Sequence, residues 1–345
     1  MSAPQETHLR VDRLRCHSVI DEALHAGSAT CQLSDLATSE SPVHVLPLDE
    51  VLYVPELELQ IVNGGIVPRE AIRDCWNLYF LQGLREDRGD ARQLSFIPDR
   101  RDDEVCVLSN LFAPAFGEWV QELFHVLLLE RAGFTGAYIV SNLPAFAVAS
   151  LELIGVGAER IDTTVVRPTV FRRAWFTTAV SHQNVHEYPR VFAAFRDLFF
   201  SLDVSGEPGL GERLWLDRGA HVFNPGRDLV NQDEIHHLVS RYGFTIVDMG
   251  AFTLRKQVAI ARRMTVLAGP HGSQFVHAMF MTERSTVVEC FSPMFINPSI
   301  LEICYALRHR YFQVVPVNTP YSPYEWEKSL KLLPLHLELV LRSLD

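Results

Sequence analysis

The stretch Gly269–Met281, GPHGSQFVHAMFM, lies between two strand-like runs, Thr265–Gly269 (TVLAG) and Ser285–Phe291 (STVVECF). TVLAG is short, apolar and β-branched and ends in Gly-Pro, and beyond it Phe275, Val276, Met279 and Phe280 recur at helical spacing. The pattern predicts a strand, a tight His-Gly-Ser turn and a helix. Such a unit aims unpaired backbone N–H groups and the positive end of a helix dipole at one spot, which suits an anion. Gly272 allows close backbone approach, and Ser273 can cap the helix or donate to phosphate. His271 would stand at the carboxyl end of the strand, where open α/β sheets place their ligands. On spacing alone, a strand–helix corner with a capping histidine reads equally well.

Outward from this turn the rhythm continues in both directions. Arg213–Leu216 (RLWL) reads as a strand leading into a polar loop, and Asn231 with Glu234 three residues on has the form of a capping box. The helix it opens stops at Gly243. Phe244–Met249 is a strand, Leu254–Arg263 a helix, and after the turn come a helix near Ser299–His309 and the strand Tyr311–Val317. Together these form a complete Rossmann-like domain by pattern.

The first half is sparser. Val51–Pro55, Glu104–Ser109 and Ala137–Ser141 read as strands, Gly117–Arg131 as a helix with an apolar face from Val120, Leu123, Phe124, Leu127 and Leu128, and Ala145–Ile154 as another helix. That alternation predicts a parallel sheet. The break between halves falls within Arg160–Ser205, where Phe171–Val180 either links the halves or completes the first sheet. The predicted fold class is α/β, with two Rossmann-like domains facing a cleft. The boundaries are residues 1–205, of which the first ~40 are too polar for a core, then 206–322, and a closing helical tail, 323–345, packing back across the first domain.

Bulk properties narrow the partners. A length of 345 residues suffices for two cores, and a net charge of -11 without a basic stripe argues against nucleic acid. Cys16, Cys31, Cys75, Cys106, Cys290 and Cys304 form no CxxC pair, which suggests thiols in a reducing compartment. The N-terminus, MSAPQETHLRVDRLR, lacks an apolar core for a signal peptide. The apolar stretch Ala137–Gly157 carries Ser141, Asn142, Pro144, Ser150 and Glu152, so it reads as strand and helix, not a membrane span. A cytoplasmic protein is expected, with peripheral membrane association through a partner or lipid-linked substrate left open. The 14 histidines form no HExxH or DxH cluster, which weakens a metal-hydrolase reading.

Several features occur in a linked order: Asp217-Arg218, Arg227, Asn231–Ile235 (NQDEI), Gly243–Asp248 (GFTIVD), Gln257, Pro270-His271-Gly272, Phe280-Met281 and Ser285–Glu289 (STVVE). This order resembles the family 61 glycosyltransferases, the DUF563 group, which includes bacterial capsular-polysaccharide enzymes and eukaryotic xylosyl- and N-acetylglucosaminyltransferases. The resemblance covers Arg213–Phe291 well and the first half weakly. It implies a GT-B-like architecture and an inverting reaction without a bound metal or cofactor. The substrates it implies are a nucleotide sugar, UDP-linked by preference, and a glycan acceptor. Helix N-termini and arginine can stabilise a departing diphosphate in place of a metal ion. Two departures stand out: Gln274 and His277 replace a small residue and an Asn, and Glu118 and Phe124 replace a His and a Pro.

Carried onto this chain, the resemblance makes His271, Gly272, Ser273, Arg218, Arg227, Glu289 and His277 the donor-binding candidates. Glu122 is the first choice for the base that takes the acceptor proton and Glu118 the second. They lie one helical turn apart, with His125 beyond. The plain alternative is two solvated glutamates on an amphipathic helix. Asn231 reads as a helix cap and Gln257 as packing or indirect support. A non-catalytic member that binds a glycan or nucleotide sugar, supporting a partner transferase, is the alternative function.

Overall fold

A computed structural model describes residues 7–10, 15–16, 31–38, 41–56, 59–62, 65–66, 93–108, 115–178, 180–181, 183–217, 229–292, 296–297, 299–316 and 330–344. The chain divides into two compact units, Met1–Pro114 with Glu118–Ser181, and Ala115–Gly117 with His182–Asp345. Among the described residues, no helix is long and apolar enough to cross a membrane.

In the first unit the main strands are β1 (His44–Val54), β2 (Leu59–Val62), β3 (Asp99–Val107), β4 (Ala137–Ile139), β5 (Ile161–Asp162) and β6 (Thr169–Thr177). Helices α1 (Phe116–Arg131) and α2 (Ala145–Leu153) connect β3 to β4 and β4 to β5. The sheet runs β5-β4-β3-β6-β1-β2 in space. From β5 to β6 the pairs are parallel, as the alternation of strand and helix predicts. Beyond β6 the sheet turns antiparallel, through β6–β1 and β1–β2. The expectation of a parallel sheet therefore holds for only part of it. The run Phe171–Val180 falls largely in β6, at the middle of this sheet, so it completes the first unit and does not link the halves.

Helix α1 differs from its expected amphipathic form. Every residue from Trp119 to Leu129 is buried, Glu122 and His125 included. A helix enclosed on all sides must satisfy its polar side chains internally. Trp119 Nε1 donates to Ser150 Oγ at 2.6 Å, and His125 Nδ1 contacts Thr177 Oγ1.

The second unit is a doubly wound parallel sheet of β7 (Arg213–Leu216), β8 (Thr245–Val247), β9 (Val266–Pro270), β10 (Thr286–Cys290) and β11 (Arg310–Val314). Its spatial order is β8-β7-β9-β10-β11, every pair parallel. Strands β9 and β10 are buried at every position, as expected for a sheet covered on both faces. Helix α3 (Pro189–Phe200) precedes β7, α4 (Gln232–Arg241) and α5 (Leu254–Ala261) flank β8, α6 (Ser299–Ala306) follows β10, and α7 (Pro334–Arg342) closes the chain. One core joins Trp215, Ala268 and Val288 of the sheet to Ile235 and Val239 of α4 and Leu337 and Leu341 of α7.

Three expectations change here. The first unit ends at Ser181, not at residue 205, because α3 buries Phe195 and Phe199 against Phe280 of the second unit. The tail helix, expected to pack back across the first domain, has Leu337 and Leu341 fully buried in the core of its own unit. Burying each stabilises the fold by about 1.5–3 kcal/mol. Asn231 makes no side-chain cap. Its amide instead clasps Leu332, donating to the carbonyl at 2.9 Å and accepting from the N–H at 3.2 Å, which anchors the tail.

Candidate functional site

The order β8-β7-β9-β10-β11 reverses direction between β7 and β9, the topological switch point of the sheet. Open α/β sheets bind ligands outside the carboxyl ends of the strands at such a point. Two local features shape it. Gly269, the penultimate residue of β9, has φ +152°, and a Cβ there would lie 2.8 Å from the Leu216 carbonyl oxygen of β7. Only glycine allows the two strand ends to approach so closely. His271 follows immediately, its N–H donating to the Cys290 carbonyl at 2.8 Å, so the turn is fastened to the end of β10.

The His271 ring is stacked on Phe291, with centroids 4.7 Å apart, and its Nδ1 lies 2.5 Å from Glu289 Oε1. Tyr311 donates to the other oxygen, Oε2, at 2.8 Å. Glu289 is wholly buried. A carboxylate only accepts, so the ring proton of His271 belongs on Nδ1 and the residue is oriented through it. Burial and the neighbouring carboxylate push the Tyr311 hydroxyl pKa upward, so Tyr311 remains a donor. Glu289 is one of the donor-binding candidates. Both its oxygens are engaged inside the protein, which makes it the support for His271.

The segment after the turn, Ser273–Phe280, is a 3₁₀-helix and not the α-helix that the spacing predicts. Eight residues is long for this conformation. Side chains hold it by satisfying its carbonyls. Arg196 donates to Met279 O and Met281 O, both at 2.9 Å, and His309 Nε2 lies 3.1 Å from Ala278 O. Ser273, the first residue of the segment, is exposed. Gly272 is in extended backbone.

His277 lies elsewhere than its donor-binding role requires. It is 1% exposed, stacked on Phe116 at 4.9 Å, with Nδ1 2.5 Å from Gln274 O and Nε2 2.8 Å from Gln257 Oε1. Burial lowers its pKa to about 4, outweighing the Gln274 carbonyl, which favours the charged ring. A neutral, enclosed imidazole contacts no ligand. Arg218 and Arg227, the other donor-binding candidates, lie outside the described residues.

On α1 the two carboxylates differ in burial. Glu122 is 2% exposed, whereas Glu118 is only partly buried. Burial pushes Glu118 up to about 7, opposed by a hydrogen bond from Gln121. A partly buried carboxylate that titrates near neutrality suits proton transfer better than a fully enclosed one. The solvated-glutamate alternative fits neither residue. Tyr311 and Gln274 were not singled out as support from sequence. The signal for Tyr311 was present: an acid at the end of an apolar strand needs a donor, and Tyr311 on the next strand shares its face.

A family model described as Glycosyltransferase 61 matches residues 94–288. A comparison with curated proteins finds no match. The matched span exceeds half of the chain and contains Glu118, Glu122, the switch point and the 3₁₀ segment. With the parallel sheet and its fastened His271 turn, it shows that this chain belongs to the glycosyltransferase 61 family and is a glycosyltransferase.

Proposed function

We propose that the chain is an inverting, metal-independent transferase that moves a sugar from a nucleotide sugar, UDP-linked by preference, to a glycan acceptor. The process in which it acts is the building of capsular or another surface polysaccharide, in the cytoplasm. In this reading the arrangement is GT-B-like, with the second unit taking the donor and the first the acceptor. The observation that carries it is His271, held at the switch point by Glu289 and Tyr311.

The chemistry balances with these residues. The acceptor oxygen attacks the anomeric carbon from the face opposite the leaving group. Its proton passes to the Glu118 carboxylate, whose raised pKa makes it an effective base near neutrality. The bond from the anomeric carbon to the diphosphate breaks, and its electron pair leaves on a phosphate oxygen. His271 and the backbone N–H groups of the turn stabilise that charge.

The test is incubation with UDP-, GDP-, CMP- and dTDP-sugars and an oligosaccharide acceptor, with and without EDTA, reading the anomeric configuration of the product. Transfer with inversion, unchanged by EDTA, is expected. A retained configuration or activity abolished by chelation defeats the mechanism.

A further inference from the structure

Gln274 has both ends of its amide committed across the switch point. Its Nε2 donates to the Asp217 carbonyl, just past β7, at 3.1 Å, and lies 3.4 Å from Asp248 Oδ1 at the end of β8. Its Oε1 accepts from the Met249 N–H at 3.0 Å. One side chain thus joins the carboxyl ends of β7 and β8 to the turn that follows β9.

The backbone of Gln274 is held in its turn. Its carbonyl lies 2.5 Å from His277 Nδ1, His277 Nε2 lies 2.8 Å from Gln257 Oε1, and Gln257 Nε2 donates to Met249 O at 2.9 Å and Phe252 O at 2.8 Å. Met249 N–H returns to Gln274 Oε1, so Gln274, His277, Gln257 and Met249 form a ring of polar contacts, in which the neutral His277 donates through one of its two nitrogens. His277 is buried and stacked on Phe116, which leaves the circuit little freedom. Interior polar networks of this kind hold one geometry because an opened link strands buried polar groups.

We infer that Gln274 is a positioning residue for the donor nucleotide, with His277 and Gln257 as its buttress, fixing the distance between the His271 turn and the end of β7. The inference rests on the donor reading above. Side-chain chemistry explains the choice of residue: the position needs one donor and one acceptor at the same reach, which an amide supplies and a carboxylate does not.

The test measures UDP dissociation constants by calorimetry, in EDTA, for the parent, Gln274→Met, His277→Phe and the double variant. The melting temperature of each nucleotide-free protein is measured alongside. His277→Phe keeps a ring against Phe116 and removes both nitrogens. Losing a link worth about one net hydrogen bond predicts a dissociation constant raised roughly fivefold or more in each single variant. The double variant should be no weaker than about threefold beyond the worse single one, because both act through one circuit. A merely structural amide would lower the melting temperature and leave the dissociation constant within less than fivefold of the parent, which overturns the inference. Effects that multiply in the double variant overturn the shared circuit. If His277→Phe fails to fold, Gln274→Met decides alone. A parent that binds none of UDP, GDP, CDP or dTDP defeats the donor reading itself, a result distinct from unchanged affinity in the variants.

Discussion

Glu289 Oε1 lies 2.5 Å from His271 Nδ1 at the end of a fully buried strand, and the second oxygen of Glu289 takes the Tyr311 hydroxyl. This pairing converts an otherwise generic strand–turn corner into a fixed imidazole at the mouth of the sheet. Tyr311→Phe removes one donor from a wholly buried carboxylate and should destabilise the protein by about 1–3 kcal/mol in denaturant unfolding. Glu289→Gln should weaken nucleotide binding more than Tyr311→Phe does, since it alters the group that orients His271. The reverse ranking would mean that the pair serves only the fold.

With Glu118 as the proposed base, it carries the pH dependence of the reaction. Its pKa is raised to about 7, so the carboxylate needed as base forms as pH rises through neutrality. The rate should climb along an acid limb near pH 7, and Glu118→Gln should reduce kcat roughly 10²–10⁴-fold. Glu122→Gln, inside the helix, should alter stability more than turnover. A limb unchanged by Glu118→Gln would remove that residue from proton transfer.

His277 predicts a pH dependence of stability as well. Its folded pKa is lowered to about 4, below the ordinary 6.5, so the unfolded state binds more protons in that window. Stability contributed by the neutral ring is complete above about pH 6.5 and is lost as pH falls toward 4. The loss between these limits is roughly 3 kcal/mol. Denaturant midpoints between pH 7 and pH 4 should fall more steeply for the parent than for His277→Phe. Equal slopes would contradict a buried neutral imidazole.

Gly269 is tested by a single methyl group. With φ at +152° and a Cβ placed 2.8 Å from Leu216 O, Gly269→Ala forces two strand ends apart. A loss of roughly 2–4 kcal/mol is expected from thermal unfolding. A change below about 0.5 kcal/mol, the range of neutral surface substitutions, would show that the close approach is not required.

The second unit was legible because its strands are short apolar runs, each followed by a turn signal and a helix, and parallel pairing follows from that alternation. The antiparallel half of the first sheet was not. Strand β1 alternates burial only loosely along its 11 residues, and its central partner β6 lies more than a hundred residues away in sequence, so nothing local announces that pairing. Glu118 and Glu122 both lie on α1 as the periodicity requires, but their different burial comes from tertiary packing around the helix, which no local pattern announces. The 3₁₀ form of Ser273–Phe280 escaped for a related reason: the donors that stabilise it, Arg196 and His309, lie on other elements. His277 reads as a ligand by its place in the motif. Only the structure shows its ring enclosed.

The most direct measurement compares nucleotide-sugar binding by the parent and by His271→Gln, using thermal shift with UDP-, GDP-, CMP- and dTDP-sugars in EDTA. The account predicts a rise in melting temperature for one class of donor with the parent, unaffected by chelation, and most of that rise lost in His271→Gln. An equal rise in both proteins, or none with any donor, would contradict a donor site built on His271 at the switch point.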